Sequence, residues 1–170
     1  DIMIQGQSGL MSITGEENGE PMKVGVAIVD VITALYNVIS IISAIRRRDI
    51  EGFGAKIDNS LLECATSSLV NVASGYLISG DLPKRYGNAH PNIVPYQVFK
   101  ALDGYFILAI GNDDQWMRLC KVIEREDILS DKRFSTNTDR VKNREDLIPV
   151  LSQEFQKKNM DYWLSSFKLN

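Results

Sequence analysis

The sequence predicts a mixed α/β protein, mostly helical, and three observations carry that reading. Val24 to Ile45 is a long apolar run interrupted only by Asp30, Thr33, Asn37 and a few small residues, as a helix sunk in a large α/β domain would be. Val98-Phe99 and Tyr105 to Ile110 flank Asp103-Gly104, a β-hairpin signal. Beyond Gly111 the apolar residues return to helical spacing.

In chain order, Ser8-Gly9-Leu10 and Thr14 through Pro21 are rich in glycine and polar residues and predict short helix and loop. Arg46-Arg47-Arg48 and then Gly52 close the long apolar helix, cations in its last turn followed by a glycine stop. Lys56-Ile57-Asp58 predicts a brief strand. Ser60 to Leu77 predicts one helix, with Leu61, Ala65, Leu69, Val72, Ala73 and Tyr76 at its apolar positions. Gly80 to Pro95 reads as a loop between subdomains.

Asn112 and Asp113 can cap a helix that buries Trp116, Leu119, Cys120 and Ile123. Asn143 with Asp146 predicts the cap of a helix carrying Leu147, Leu151 and Phe155, and Pro149 inside it implies a kink or a later start. Asn159 caps the last helix, with Trp163 and Phe167 on one face.

Composition narrows the function. A chain of 170 residues, 44% of them hydrophobic, can bury a substantial core in one or two domains. Its 19 basic and 22 acidic residues are mixed along the sequence, and the absence of a basic block argues against a nucleic-acid partner. Two cysteines, Cys64 and Cys120, both in helical apolar patterns, fit a reducing compartment. The start at Asp1 without Met and the stop at Asn170 read as an internal piece of a longer protein.

Asp30 decides between several readings. The Val24–Ile45 run is long enough to span a bilayer, with the arginine triplet as its positive flank. An Asp near the centre of such a span costs on the order of 3 kcal/mol, which a helix buried in protein does not pay. A single-pass membrane protein with a soluble adaptor therefore stands as the non-enzyme alternative. Within a soluble fold, Asp30 reads first as an N-cap. The same position suits a nucleophile, because a helix N-terminus favours the anion and apolar surroundings strip its water.

The chain also resembles a known family. Ile4 to Met11, Ile13-Thr14-Gly15 and Val24 to Asp30 look like the middle of family III CoA-transferases, the group of formyl-CoA and carnitine CoA-transferases with 2-methylacyl-CoA racemases as relatives. The resemblance continues through Gly52 to Asp58, Gly87 to Gln97, Asp103-Gly104-Tyr105, Ala109 to Gln115 and Arg140 to Arg144, and so covers nearly the whole chain. The His90–Gln97 and Gly111-Asn112 blocks look most like the succinate–hydroxymethylglutarate branch.

That resemblance implies an α/β fold with a Rossmann-like large domain and a small α+β domain. Residues 1–79 would belong to the large domain, 80–95 to a connecting loop and 96–170 to the small domain. It implies Asp30 as the catalytic nucleophile, moving CoA between carboxylic acids such as succinate and a glutarate derivative through an aspartyl-CoA thioester. A CoA thioester is then substrate, and no metal, redox or covalently bound cofactor is implied. Asp1 matches a position bordering the active site, and Gln5, Asn88, His90 and Asn112 are the remaining substrate or CoA candidates. The residue before Asp1 would separate a transferase from the racemase alternative, where that position carries His.

By residue type alone, His90 before Pro91 is a turn residue, and Asn112 and Asp113 are helix caps. Arg46 to Arg48 and Lys84-Arg85 either meet CoA phosphates or lie on solvated faces. The resemblance further implies an interlocked homodimer, no membrane, and a mitochondrial matrix or bacterial cytoplasmic location. A piece lacking its flanks is expected to be inactive and poorly stable.

Overall fold

A computed structural model describes residues 1–168 and divides the chain into two compact units, Asp1–Gly87 and Asn88–Asn170. The first unit is helices and loops, with no strand among its described residues. Helix α1 (Ile2–Gln7) and the short α2 (Leu10–Ile13) lead through a loop to α3 (Ile28–Glu51), which ends at Gly52 as expected. Gly52 has φ 81, and its amide donates to the Arg48 carbonyl. The parallel sheet of a Rossmann-like domain is not in this stretch, and Lys56–Asp58 is exposed coil rather than a strand.

The predicted Ser60–Leu77 helix is two: α4 (Leu61–Ser67) and α5 (Val70–Ser79), bent by 78°. The reason lies in three hydroxyls. Thr66, Ser67 and Ser68 donate to the carbonyls of Leu62, Cys64 and Ala65 and compete with the helix ladder. Val70 then takes φ 42, a strained left-handed conformation for a β-branched residue. Ser60 and Glu63 form a reciprocal capping box at the start of α4.

Strands β1 (Tyr96–Lys100) and β2 (Tyr105–Ala109) open the second unit as the predicted antiparallel hairpin, with Phe99 opposite Phe106. Helices α6 (Asp113–Val122), α7 (Glu126–Ser130), α8 (Asn137–Lys142), α9 (Arg144–Phe155) and α10 (Met160–Lys168) follow. Asn112 caps α6 by accepting from the Gln115 amide, and Asn159 caps α10 through the Tyr162 amide. Asn143 is the N-cap residue of α9 as expected, but its side chain caps no first-turn amide and donates instead to the carbonyls of Arg133 and Asp139; a Thr136–Asp139 capping box starts α8. Helix α9 starts before Pro149 and runs through it.

The hydrophobic core lies wholly in the second unit, where Phe99, Phe106, Trp116, Leu147, Phe155 and Trp163 are among its members. Edge-on ring contacts join Phe155 to Phe99, Phe106 and Trp163. The first unit has no comparable core among the described residues. Helix α3 buries only Val29 and Thr33, and Leu35, Ile39 and Ile42 are about 60% exposed. The fully buried α3 expected from composition is therefore not seen in this chain. It is the one described helix long and apolar enough by itself to cross a membrane.

Candidate active site

The start of α3 is built by residues far from it in sequence. Asp30 is the third residue of the helix; the N-cap is Ala27, which has no capping side chain. The cap comes instead from Asp1, whose Oδ1 accepts from the Val29 amide at 2.9 Å. The cap reading of Asp30 is thus corrected: another carboxylate occupies that role. Asp30 is left with its side chain 54% exposed, 3.6 Å from the backbone nitrogen of Asp1. The free N–H groups of the first turn give this end of the helix a positive field around the carboxylate.

Gln5 stands behind Asp1 and is completely buried. Its Nε2 donates to Asp1 Oδ2 at 2.5 Å, and its Oε1 accepts from the Val24 amide at 2.8 Å. The structure therefore brings Asp1, Gln5 and Asp30 together, with both polar ends of Gln5 committed to the fold. Glycine has a specific role nearby at Gly15, where φ is 110 and an added Cβ would meet the Met22 side chain at 3.0 Å.

The basic clusters are occupied locally. Arg47 pairs with Glu51 and lies over the Phe53 ring, and Arg48 pairs with Asp49. Arg85 donates to the carbonyls of Glu16 and Gly19 at 3.0 and 2.6 Å, pinning the loop between α2 and α3. These contacts favour structural roles over phosphate binding for Arg47, Arg48 and Arg85.

In the second unit, His90 sits in a turn before β1, as its residue type suggests. Its Nδ1 accepts from the Asn92 amide at 3.0 Å, which puts the ring proton on Nε2, and the ring stacks on Tyr96 at 5.3 Å. Asn88 is exposed, and Asn112 spends its side-chain oxygen on the α6 cap. Three residues on α8 and α9 hold the His90 turn by its backbone. Asn137 accepts from the Val94 amide and donates to the Asn92 carbonyl. Arg140 donates to the Val94 carbonyl, and Arg144 to that of Pro91. Asn137, Arg140 and Arg144 follow a helical i, i+3, i+7 spacing, the sequence signal that links them as a set.

A family model described as CoA-transferase family III matches residues 1–170. The chain belongs to CoA-transferase family III. It is 44% identical over 170 residues to a succinate–glutarate CoA-transferase of Agrobacterium fabrum, covering all of this chain and 42% of that protein. It is 39% identical over 168 residues to a human succinyl-CoA:glutarate CoA-transferase, covering 99% of this chain and 38% of that one. A CAIB/BAIF family protein from Brucella suis, solved by crystallography, overlays with a TM-score of 0.77 at 46% identity, across all of this chain and 45% of its own. The chain thus spans less than half the length of these relatives.

Family III membership fixes the α/β fold class and takes in α3, since the match and the overlay run through it. It does not by itself assign a role to any side chain.

Proposed function

We propose that the protein of which this chain forms part is an acyl-CoA:carboxylate CoA-transferase acting on dicarboxylic acids, with Asp30 as nucleophile. The observation that carries the reading is the Asp30 carboxylate itself, in the first turn of α3, exposed and relieved of capping by Asp1. The relatives named for succinate–glutarate exchange support the substrate class.

The proposed chemistry is a relay of acyl exchanges. An Asp30 oxygen attacks the thioester carbonyl of the donor, the C–S bond breaks, and a mixed anhydride and CoA thiolate form. The thiolate attacks the Asp30 carbonyl carbon and displaces the donor acid, leaving an aspartyl-CoA thioester. The acceptor carboxylate attacks that thioester and releases the thiolate, which attacks the new acyl carbonyl. Acyl-CoA of the acceptor leaves, and the Asp30 carboxylate is restored. Every step exchanges one carboxylate or thiolate for another, so no net proton is required. Backbone N–H groups of the glycine-bearing loops are the proposed donors to the transient oxyanions.

Residues 1–79 are assigned on this reading to the large domain and 96–170 to the small one. The exposed apolar face of α3 supports burial against the rest of that domain and a homodimer. The buried free thiols of Cys64 and Cys120 suit a matrix or bacterial cytoplasmic setting. Turnover by the full-length protein tests the activity: CoA exchange must require a free carboxylate acceptor and must be lost in Asp30→Asn. Epimerisation of a 2-methylacyl-CoA without any acceptor would instead identify a racemase.

A further inference from the structure

A segment that presents a nucleophile must be held at both ends, and here both ends run to one buried side chain. Val24 precedes the segment and Val29 immediately precedes Asp30. The Val24 amide donates to Gln5 Oε1, the Val29 amide donates to Asp1 Oδ1, and Gln5 Nε2 donates to Asp1 Oδ2. Asp1 and Gln5 stand four residues apart at the start of α1, on one helical face, so the pair is braced by the helix that carries it.

The chemistry demands a carboxamide at position 5. An ionised Glu there accepts from Val24 but has no hydrogen to give Asp1. A Leu of similar size does neither and leaves the part-buried Val24 amide without its acceptor. Gln5 is fully buried, touches no solvent, and has no other polar partner to explain its presence.

We propose that Gln5 is a positioning residue for the Asp30 carboxylate, acting through Asp1 and through the Val24 amide. The proposal rests on the reading of Asp30 as the nucleophile. Without Gln5, Asp1 turns freely, the Val29 amide loses its fixed acceptor, and the Val24–Asp30 segment loses both restraints. The attacking oxygen then samples orientations away from the thioester carbonyl, while the groups that bind CoA are untouched.

The experiment uses the full-length protein with succinyl-CoA and glutarate, reading kcat, KM for the thioester, hydroxylamine labelling of Asp30 during turnover, and the thermal midpoint. Gln5→Leu should lower kcat and the labelling rate on the order of 100-fold, since a misplacement near 1 Å has that effect. KM should move by less than about threefold, because the lost interaction serves the transition state. The decisive variant is the double exchange Asp1→Asn with Gln5→Glu. It swaps donor and acceptor: the new amide at position 1 accepts from Val29 and donates to the new carboxylate, which accepts from Val24. The double exchange should recover kcat to within about tenfold of the parent, and Asp1→Asn alone should not.

A folded Gln5→Leu protein with kcat within about threefold of the parent overturns the proposal, as does a kcat loss matched by an equal rise in KM. If Gln5→Leu does not fold, the double exchange decides alone. A double variant that melts normally yet stays inactive shows that the charge at position 1 matters rather than its hydrogen bonds, and overturns the proposal. Parent protein that turns over without labelling Asp30 removes the underlying nucleophile reading, a failure distinguishable from all of these.

Discussion

Replacing Arg140 tests the packing of the second unit at its most demanding point. The Arg140 side chain is fully buried and donates to the Val94 carbonyl at 2.8 Å, the Phe134 carbonyl at 3.1 Å and Asp113 Oδ1 at 2.8 Å. Its guanidinium lies 5.0 Å from the centroid of the Trp116 ring. Arg140→Met keeps the volume and removes every one of these contacts. Two carbonyls of buried residues lose their donor, at roughly 1–2 kcal/mol each, and the ring loses its cation at about 1 kcal/mol. The expected loss is therefore about 3–5 kcal/mol.

Asp113 separates the carbonyls from the ion pair, because its side chain is 55% exposed and rehydrates when the partner goes. Asp113→Asn keeps an acceptor beside the buried guanidinium and removes its counter-charge, and should cost about 1–2 kcal/mol, less than the Arg140→Met loss. The assay is urea unfolding followed by intrinsic fluorescence, since both tryptophans, Trp116 and Trp163, are buried in the second unit. With a slope of about 1–2 kcal/mol/M, Arg140→Met should lower the midpoint by roughly 1.5–5 M, or leave no folded baseline. A loss below about 1 kcal/mol for Arg140→Met refutes the reasoning. So does an Asp113→Asn loss as large as the Arg140→Met loss, because it moves the weight from the carbonyls to the ion pair.

Three further outcomes follow from the same structure. Burial pushes the Cys120 thiol from 9.0 up to about 12, against the pull of Arg140. The native thiol thus holds its proton where the unfolded one loses it, so stability present below pH 9 declines as pH rises toward 12; iodoacetamide at pH 8 should label Cys120 only after denaturant is added. Hydrogen exchange on the 170-residue chain should find the slowest amides at Phe99, Phe106, Leu119, Leu147 and Leu151, with α3 exchanging quickly; slow exchange along α3 would contradict its exposure. Gel filtration of that chain should give self-associated species through the uncovered apolar surface of α3 and α5, where Leu77 and Ile78 are more than 80% exposed. A monodisperse monomer would show that surface to be harmless.

The parts legible in the sequence were those governed by local rules. The hairpin at Asp103-Gly104, the α6 and α10 caps at Asn112 and Asn159, and the glycine stop at Gly52 depend on a few adjacent residues, and the structure has them all. The break between α4 and α5 was hidden because apolar periodicity ran across it, while hydroxyls at residues 66–68 took the helix carbonyls. The cap of α3 was hidden for a different reason. An Asp in a first turn is the usual cap, and nothing local shows that Asp1, 28 residues upstream of Val29, already holds the amide. The burial of Arg140 depends on carbonyls at residues 94 and 134 that only the tertiary fold delivers.

Turnover on this mechanism forms a covalent bond on Asp30, and mass spectrometry can read it directly. Full-length protein turning over succinyl-CoA and glutarate is quenched with hydroxylamine, digested, and the peptide spanning residues 24–46 is sequenced. A hydroxamate on the Asp30 side chain should appear only when thioester is present and vanish in Asp30→Asn. Sustained turnover with that carboxylate unmodified, or a hydroxamate on another residue, would contradict it.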